Sequence, residues 1–231
     1  MWSAIARAIG IERNQTSHWE RFIAGGSTCL AIAIVALLTQ WSLSDETHLL
    51  FFASSAASAF LVFALPHGAL SQPWPVLAGQ SLAMGIGILA GSLFGAGILA
   101  AACAVGATVL LMHYLRCLHP PGAATAFFFV TGIERIPLQE TGLAFLLNIS
   151  VIVVLAILLN NAFHWRRYPL FWFSQTQHNP PATDRVALAD LQQALRQHSA
   201  SMGISLDELN TLYMAAQQHN QTSAKRRETA R

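Results

Sequence analysis

A short segment near the middle of the chain, His119-Pro120-Pro121-Gly122, joins a side chain that can carry a proton to a break in the backbone. Neither proline has an N–H group to donate, and Pro121 excludes helical geometry at Pro120. Residues 47–115 contain no Lys, Arg, Asp or Glu, so the break follows a long apolar stretch. In lipid, unpaired backbone groups are so costly that a break survives only against protein or a watery cavity. The segment therefore predicts a binding or permeation site.

The helix that follows this break predicts a site for an anion. It begins at Pro121, whose missing N–H group is one that a helix start leaves unpaired in any case. The amides of Gly122, Ala123 and Ala124 then point out of the helix start, and their small side chains leave them uncovered. A helix start also carries roughly half a positive charge. We therefore expect these residues, together with Thr125, to bind a small anion.

Three side chains that can carry positive charge occur at a spacing of three residues: His113, Arg116 and His119. This spacing places them on one slowly rotating stripe of a helix that leads to the anion site. Arg116 would balance the charge of the anion, and the histidines would donate hydrogen bonds or exchange a proton near neutral pH. In the simpler alternative, Arg116 lies at the membrane interface with its charge among the headgroups, and His119 only caps a helix.

A second break, residues 65–75, contains three prolines and His67 but no charged residue. Its Pro-His-Gly-Ala sequence loosely resembles the His-Pro-Pro-Gly-Ala of the later motif, and paired breaks of this kind occur at the binding sites of transporters. His67 is therefore a further candidate ligand of the anion. The alternative is an ordinary tight loop in which Trp74 anchors the chain at the interface.

The composition indicates an integral membrane protein. Of the 231 residues, 54% are hydrophobic and 10% are charged, against roughly 25% charged in soluble domains. Cys29, Cys103 and Cys117 lie in or beside apolar segments, without the spacing of a zinc site or a disulfide framework. The sequence has no nucleophile–base pair, no phosphate loop, no paired carboxylates in an apolar segment and no long basic tract. We therefore expect no enzymatic activity, no metal or cofactor, and no nucleic-acid partner.

Apolar segments long enough to cross a bilayer, which takes about 20 residues, recur along the chain. Full-length spans are predicted at residues 22–42, 48–65, 74–93, 96–115 and 141–162. Residues 121–132 are apolar but too short for an ordinary span. The predicted fold is all-α: a polytopic membrane helix bundle with five full spans plus one short broken segment, followed by a small helical cytoplasmic tail.

The distribution of Lys and Arg predicts that both termini lie in the cytoplasm, on the inner face of a bacterial inner membrane, because basic residues favour that side. Arg7, Arg13 and Arg21 precede the first span, and Arg166 and Arg167 follow the last one. Two ends on one side require an even number of crossings, so the short apolar segment would have to cross as a broken element. The alternative is five crossings, with that segment re-entrant and the C-terminus outside.

Small and hydroxylated residues inside the spans predict close contacts between helices. Gly87, Gly91 and Gly95 repeat every four residues, a spacing that lets helix backbones approach one another in membranes. Packing within the chain is the expected role of the glycine-rich stretch at residues 79–97, although it would also permit a homo-oligomer. The serines of the second span would bond between helices or line a wet path: Ser54, Ser55 and Ser58.

The charged residues are concentrated at the end of the chain, where 13 of the 24 lie after Trp165. The composition divides the chain into an N-terminal arm with an interfacial helix, a membrane domain, a linker and a cytoplasmic helical tail: residues 1–21, 22–170, 171–184 and 185–231. Two leucine stripes in the tail are typical of helices that dock on a partner. A membrane scaffold or sensor that recruits a partner through this tail is therefore the alternative function.

The two broken segments resemble those of the HPP family of integral membrane proteins. The resemblance rests on Phe-Ala-Leu-Pro-His-Gly-Ala-Leu-Ser-Gln-Pro-Trp at 63–74 and Leu-Arg-Cys-Leu-His-Pro-Pro-Gly-Ala-Ala-Thr-Ala at 115–126, in the expected order and separation. It covers about residues 22–170 and implies a transporter-like protein, since plant and cyanobacterial members are associated with nitrite transport. Family members often read Pro-Pro-Ala-Gly-Ala where this chain reads Pro-Pro-Gly-Ala-Ala.

The residues and the resemblance together predict a membrane transporter or channel for a small monovalent anion, with nitrite the first candidate. The anion would bind at the helix start after His119-Pro120-Pro121. The lipid bilayer is the other implied partner, and the glycine-rich stretch also permits a homo-oligomer. The sequence does not distinguish a channel from a proton-coupled carrier.

Overall fold

Within the residues that the structure describes, the chain is entirely helical. The structure is a computed structural model, and it describes residues 16–42, 48–173 and 213–214. The first two ranges contain six α-helices: α1 His18–Ser42, α2 His48–Ala64, α3 Pro73–Phe94, α4 Ile98–Tyr114, α5 Pro121–Thr131 and α6 Leu138–Asn161. Two short 3₁₀ turns lie in the connections: Ala69–Ser71 and Leu170–Trp172. The predicted all-α fold is confirmed for these residues.

The chain divides into two compact units. The first, Trp19–Gln177, holds the six helices apart from the first residue of α1, and we call it the membrane unit. The second consists of Met1–His18 and His178–Arg231, and nearly all of it lies outside the described residues. The predicted N-terminal arm, linker and helical tail therefore fall almost wholly outside them too, and they stay predictions.

The helices match the predicted apolar segments to within a few residues, but their lengths do not match five full spans. Only α1, α3 and α6 are long and apolar enough to cross a bilayer among the described helices. Helices α2 and α4 have 17 residues each, so each reaches only about 25 Å. Arg116, which follows α4, has a positive φ of 53°, and Gly95, which caps the end of α3, has a positive φ of 76°. A left-handed residue ends a right-handed helix, so the prediction of five full spans is not confirmed.

The start of α1 and the end of α6 lie at the same end of the membrane unit. Arg166, just after α6, forms an ion pair with Glu20 in the first turn of α1 and donates to the carbonyl oxygen of Phe63 near the end of α2. Trp165 Nε1 also donates to Glu20 Oε2, at 3.0 Å. A membrane unit in which the start of the first helix contacts the end of the last one crosses the bilayer an even number of times. This contact favours the six-crossing arrangement over the re-entrant alternative.

Helix α5 packs along α3 through glycines, and the predicted four-residue repeat makes contacts at Gly87 and Gly91 but not at Gly95. A Cβ atom added at Gly79 would lie 2.6 Å from the carbonyl oxygen of Cys117, and one added at Gly87 would lie 2.6 Å from that of Ala126. These contacts follow the same order along both segments, so α5 runs parallel to α3. Other glycines of this stretch would meet nothing within 4 Å and make no such contact: Gly85, Gly95 and Gly97.

Apolar side chains fix the remaining helices around this pair. Helices α1, α2 and α6 share one buried cluster around Val35, Phe63 and Ile152. Helices α5 and α6 share another around Phe129 and Phe145, whose ring centroids are 5.7 Å apart in an edge-to-face arrangement. The packing leaves the inner faces of α2, α3 and α5 in contact, and the polar side chains on those faces are enclosed.

Candidate functional site

His119 is fully buried, and both nitrogen atoms of its ring have partners. Nδ1 lies 2.9 Å from the carbonyl oxygen of Leu70 in the connection between α2 and α3. Nε2 lies 2.9 Å from Ser58 Oγ on α2. Because a carbonyl oxygen can only accept, Nδ1 must carry a proton for this contact. The break before α5 is thereby tied both to α2 and to the connection that follows α2.

Gln80 on α3 joins the polar side chains of the neighbouring helices. Its amide nitrogen donates to Ser54 Oγ at 2.9 Å and to Ser58 Oγ at 2.8 Å, and its amide oxygen accepts from Thr125 Oγ1 at 2.5 Å. Ser54 Oγ and Thr125 Oγ1 lie 2.6 Å apart, which closes the ring of hydrogen bonds. At most 3% of any of these side chains is exposed. We call Ser54, Ser58, Gln80, His119 and Thr125 the polar cluster.

The polar cluster lies well inside the membrane unit. Ser58 is six residues before Ala64 at the end of α2, and Gln80 is seven residues after Pro73 at the start of α3. At 1.5 Å per residue, both lie about 10 Å from that end of the unit. Exposed aromatic side chains mark the same end: Trp19, Trp74, Tyr114 and Trp165. Such residues gather where a bilayer meets water, so the cluster lies below this interface.

The start of α5 is not open in the way the sequence predicts. The amide of Gly122 donates to the carbonyl oxygen of His119 at 2.9 Å, and that of Ala123 donates to Pro120 at 3.1 Å. Pro120 itself has φ −52° and ψ −37°, so the expectation that Pro121 excludes helical geometry there is wrong. A residue before a proline normally avoids helical geometry, but here the two hydrogen bonds of the turn stabilise it. The prediction of unpaired amides is therefore wrong for Gly122 and Ala123.

An apolar side chain also covers this helix start. Gly122 is buried, and a Cβ atom added to it would collide with the terminal methyl group of Met112 and lie 3.3 Å from Cβ of Ala83. Met112 is itself fully buried on α4. The same turn of α5 reaches the polar cluster through a different atom, because the carbonyl oxygen of Pro121 accepts from Ser54 Oγ at 3.0 Å. Polar side chains, rather than free amides, surround the break.

Comparison with known proteins agrees with this membrane architecture. The family model described as the HPP transmembrane region matches residues 13–169, which include all six helices and the polar cluster. The chain belongs to the HPP transmembrane family. The resemblance seen in the two broken segments is thus confirmed, and the membrane character of the unit with it.

Two curated relatives of this HPP protein are transmembrane proteins of Dictyostelium discoideum. One is 30% identical over 155 residues, which is 62% of this chain and 52% of the relative. The other is 29% identical over 160 residues, which is 64% of this chain and 49% of the relative. The chain therefore spans about half the length of the curated relatives it matches. No solved structure matches it.

The segment at 115–122, which we call the HPP segment, separates side chains that were predicted to share one helical stripe. His113 and Arg116 are exposed, whereas His119 is buried. The left-handed conformation of Arg116 ends α4, and the amide of Cys117 returns to the carbonyl oxygen of Met112 at 3.0 Å. This cap turns the chain back into the protein, so the helical stripe does not continue from Arg116 to His119.

The remaining predicted site residues lie close to this turn. His67 is half-buried in the connection between α2 and α3, three residues before the carbonyl group that accepts from His119. Pro120 and Ala124 are exposed, and Ala123 is half-buried. Among the predicted residues, the structure thus brings His119 and Thr125 together in one hydrogen-bonded cluster. Anion binding by any of them stays a prediction.

A second group of polar residues holds the connection that contacts His119. Tyr168 is fully buried, and its hydroxyl group donates to the carbonyl oxygen of Ser71 at 2.8 Å. The amide of Leu170 donates to Gln72 Oε1 at 2.9 Å. Burial raises the pKa of Tyr168, so its hydroxyl group remains a donor. The segment after α6 therefore holds the same connection that His119 contacts.

Arg166 anchors the same segment to three helices. Besides its contacts with Glu20 and Phe63, its Nε atom donates to Oδ1 of Asn160 on α6 at 3.0 Å. Burial lowers the pKa of Arg166, and the charge of Glu20 raises it, so the guanidinium stays charged. The sequence analysis predicted that Arg166 and Arg167 are equivalent positive charges after the last span. Only Arg167 is exposed, while Arg166 is buried as a structural cation.

Sequence reasoning missed Gln80 and gave Ser54 and Ser58 only a general interhelical role. The usable signal was present, because Gln80 is the only amide side chain in α3. A polar side chain inside a membrane span is energetically costly unless it forms hydrogen bonds, so Gln80 predicts polar partners on neighbouring helices. The sequence does not show that the partners lie on α2 and α5, since that depends on how the helices pack.

Proposed function

We propose that the HPP membrane unit moves a small monovalent anion across the bilayer past the polar cluster, with nitrite as the first candidate. The observation that carries this proposal is the enclosure of Ser54, Ser58, Gln80, His119 and Thr125 at the break before α5. Polar side chains inside membrane segments are costly and mark the paths of substrates and ions. A cluster used only to hold helices together would not need a proton-carrying ring at a broken turn.

The chemistry of the polar cluster favours an anion over a metal cation. Hydroxyl, amide and imidazole groups donate hydrogen bonds that an anion accepts, whereas hard cations require carboxylate or carbonyl oxygens. Residues 47–115 contain no Asp or Glu, and no carboxylate in the described ranges bonds to the cluster. Nitrite has two oxygen atoms in one plane, so it can accept from two of these donors at once.

Transport in this proposal requires that the cover over α5 moves. Met112 has three rotatable bonds and a flexible thioether, so it can leave the helix start without a change in the backbone. Thr108 lies one turn earlier on α4 and is fully buried, and its hydroxyl group has no hydrogen-bond partner among the described residues. Movement of Met112 would uncover the positive end of α5 next to the polar cluster.

Arg116 acts at the entrance in this proposal rather than in the binding site. It is exposed at the turn that leads to His119, and it is the first charged residue after residues 47–115. A fixed positive charge raises the local concentration of anions near an opening. Arg116→Ala should therefore raise the apparent KM for nitrite more than it lowers the maximal rate. The effect should shrink at high salt, because salt screens exposed charges.

Initial rates of nitrite uptake into liposomes that contain the purified protein test the proposal. Because undissociated nitrous acid crosses lipid unaided, protein-free liposomes of the same composition provide the background, and the assay runs at pH 7.5 or above. The expected result is uptake above this background, saturating with nitrite and reduced by nitrate more than by divalent sulfate. Equal uptake with and without the protein would contradict the proposal.

The alternative function, recruitment of a partner by residues 185–231, concerns a region almost wholly outside the described residues and stays a prediction. Deletion of those residues separates the two functions. Uptake that survives the deletion belongs to the membrane unit, whereas a scaffold would lose its complex.

A further inference from the structure

The hydrogen atoms of the polar cluster can be assigned from the chemistry of the groups. His119 donates from Nδ1 to the carbonyl oxygen of Leu70, so in the neutral ring Nε2 is an acceptor. Gln80 donates to Ser58 Oγ at 2.8 Å and thereby occupies one acceptor position of that hydroxyl group. Ser58 is then the group that decides whether Nε2 of His119 has a hydrogen bond in the neutral state.

Ser58 has a choice of two acceptors for its single hydroxyl proton. Its oxygen lies 2.9 Å from His119 Nε2 and 3.0 Å from the backbone carbonyl oxygen of Ser54. With neutral His119, the Ser58 hydroxyl group donates to Nε2. With protonated His119, Nε2 donates to Ser58 Oγ, and the hydroxyl group turns to the carbonyl of Ser54. The heavy atoms keep the same positions in both arrangements. Only the hydroxyl hydrogen atom of Ser58 moves, by rotation about the Cβ–Oγ bond.

We propose that His119 carries one proton together with each anion, and that rotation of the Ser58 hydroxyl group accommodates this proton. The inference rests on the proposed function and makes the membrane unit a proton-coupled carrier. The proton binds at Nε2 of His119 on one side of the membrane and leaves from the same atom on the other side. No covalent bond other than this N–H bond forms or breaks.

The surroundings of His119 explain why the proton and the anion would bind together. The helices and turns packed against it offer Ser58, the carbonyl of Leu70 and Gly79, and neither Lys, Arg, Asp nor Glu in the described ranges bonds to it. A buried imidazolium without a counter-ion is strongly disfavoured. An anion in the cluster supplies the missing charge, so each ligand strengthens the binding of the other to the same degree.

Other groups that titrate or carry charge near this site are few. The connection after α2 contributes His67, and the segment of His119 contributes Cys117, which is buried, and Arg116, which is exposed. Helix α3 has no titratable side chain, and the only one in α2 is His48 at its far end. His119 is therefore the group in the cluster that can change charge.

The dependence of nitrite uptake on membrane potential tests the coupling. Liposomes contain the full-length protein and a pH-sensitive dye, and potassium with valinomycin sets the potential. One proton per anion makes transport electroneutral, so an inside-negative potential of about 100 mV should leave the initial rate unchanged while the interior acidifies. For an uncoupled anion the same potential is worth about 2.3 kcal/mol, roughly fiftyfold in the equilibrium anion ratio. Saturable uptake that falls with this potential would overturn the coupling but leave transport standing, and no uptake at all would overturn both.

Substitutions of histidine residues test whether His119 is the group that carries the proton. His119→Gln keeps a hydrogen-bonding amide but cannot hold the proton, so uptake should lose its electroneutrality and the acidification should disappear. His164→Gln, at an exposed histidine after α6, is the matched control and should behave as the original protein. Acidification by the His119→Gln variant at one proton per nitrite would show that His119 does not carry the proton.

A second pair of variants covers the case in which His119→Gln is inactive. Ser58→Thr retains the hydroxyl group and should keep electroneutral uptake, whereas Ser58→Ala removes both hydrogen-bond arrangements. We expect Ser58→Ala to lower the number of protons per nitrite at least twofold. An unchanged ratio in Ser58→Ala would overturn the proposed switch.

Discussion

Nε2 of His119 lies 2.9 Å from Oγ of Ser58, although 61 residues separate the two along the chain. This contact places the broken segment before α5 against the inner face of α2. The proline pair breaks the helix here, and because of this break the ring of His119 lies inside the bundle. The polar cluster, and with it the proposed path of the anion, depends on this position.

Gln80 should be essential to the stability of the polar cluster. Gln80→Leu preserves an apolar helix but leaves Ser54, Ser58 and Thr125 without the amide that they share. The hydroxyl groups keep their bonds to one another, to His119 and to the backbone, so each hydrogen bond lost with the amide costs about 0.5–1.5 kcal/mol. We expect a lower midpoint of unfolding by SDS in mixed micelles. Gln40→Leu, at an exposed glutamine of α1, is the control and should leave the midpoint unchanged.

Gly79 should tolerate no side chain, because the backbone of the HPP segment passes directly over it. The Cβ atom of Gly79→Ala would lie 2.6 Å from the carbonyl oxygen of Cys117 and 3.0 Å from Cβ of His119. Overpacking of this kind costs about 1–3 kcal/mol and would displace the ring from the cluster. Gly85→Ala on the same helix meets nothing within 4 Å and should be neutral or stabilising. Equal unfolding midpoints for the two variants would refute this packing.

Arg166 and Arg167 are adjacent, but their substitutions should have very different effects. Arg166→Ala leaves Glu20 without its partner and removes donors from Asn160 and Phe63. Breaking a buried ion pair by removing one partner costs about 3–5 kcal/mol. Arg167→Ala removes an exposed charge that stacks on a phenylalanine ring and should change stability by less than about 1 kcal/mol. Thermal unfolding of both variants in the same detergent would decide the matter.

The ion pair between Glu20 and Arg166 also predicts the topology. In a chain whose native cysteines are replaced, Ser17→Cys and Trp172→Cys should react with an impermeant maleimide from the same side of the membrane. Glu134→Cys, between α5 and α6, should react from the other side. Labelling of Ser17→Cys and Trp172→Cys from opposite sides would support the five-crossing alternative instead.

The helices themselves could be predicted from the sequence because apolar length and helix breakers are local signals. The boundaries of α3 were fixed by Pro73 and by the glycines after Phe94, and those of α5 by Pro121. The ends of α4 were less predictable, because the left-handed conformation of Arg116 is rare for a residue with a side chain. Because Arg116 adopts this conformation, α4 ends there, and Arg116 is exposed whereas His119 is buried.

The site was predicted less well than the fold because it depends on contacts between distant segments. The motif directed attention to His119 and Thr125, which the structure brings together in the polar cluster. The expectation of open amides failed at Gly122, where a neighbouring methionine side chain fills the space above the helix start. Gln80 was missed because its partners come from two other helices, and no pattern within α3 indicates where those helices lie.

Uptake of nitrite by the protein with His119→Ala, compared with His164→Ala, tests the central claim most directly. Both substitutions remove one imidazole, but only His119 is buried against Ser58. At equal amounts of folded protein in the liposomes, the account predicts at least a tenfold loss of initial rate for His119→Ala and an unchanged rate for His164→Ala. Equal rates for both variants, well above those of protein-free liposomes, would show that the anion does not pass the polar cluster.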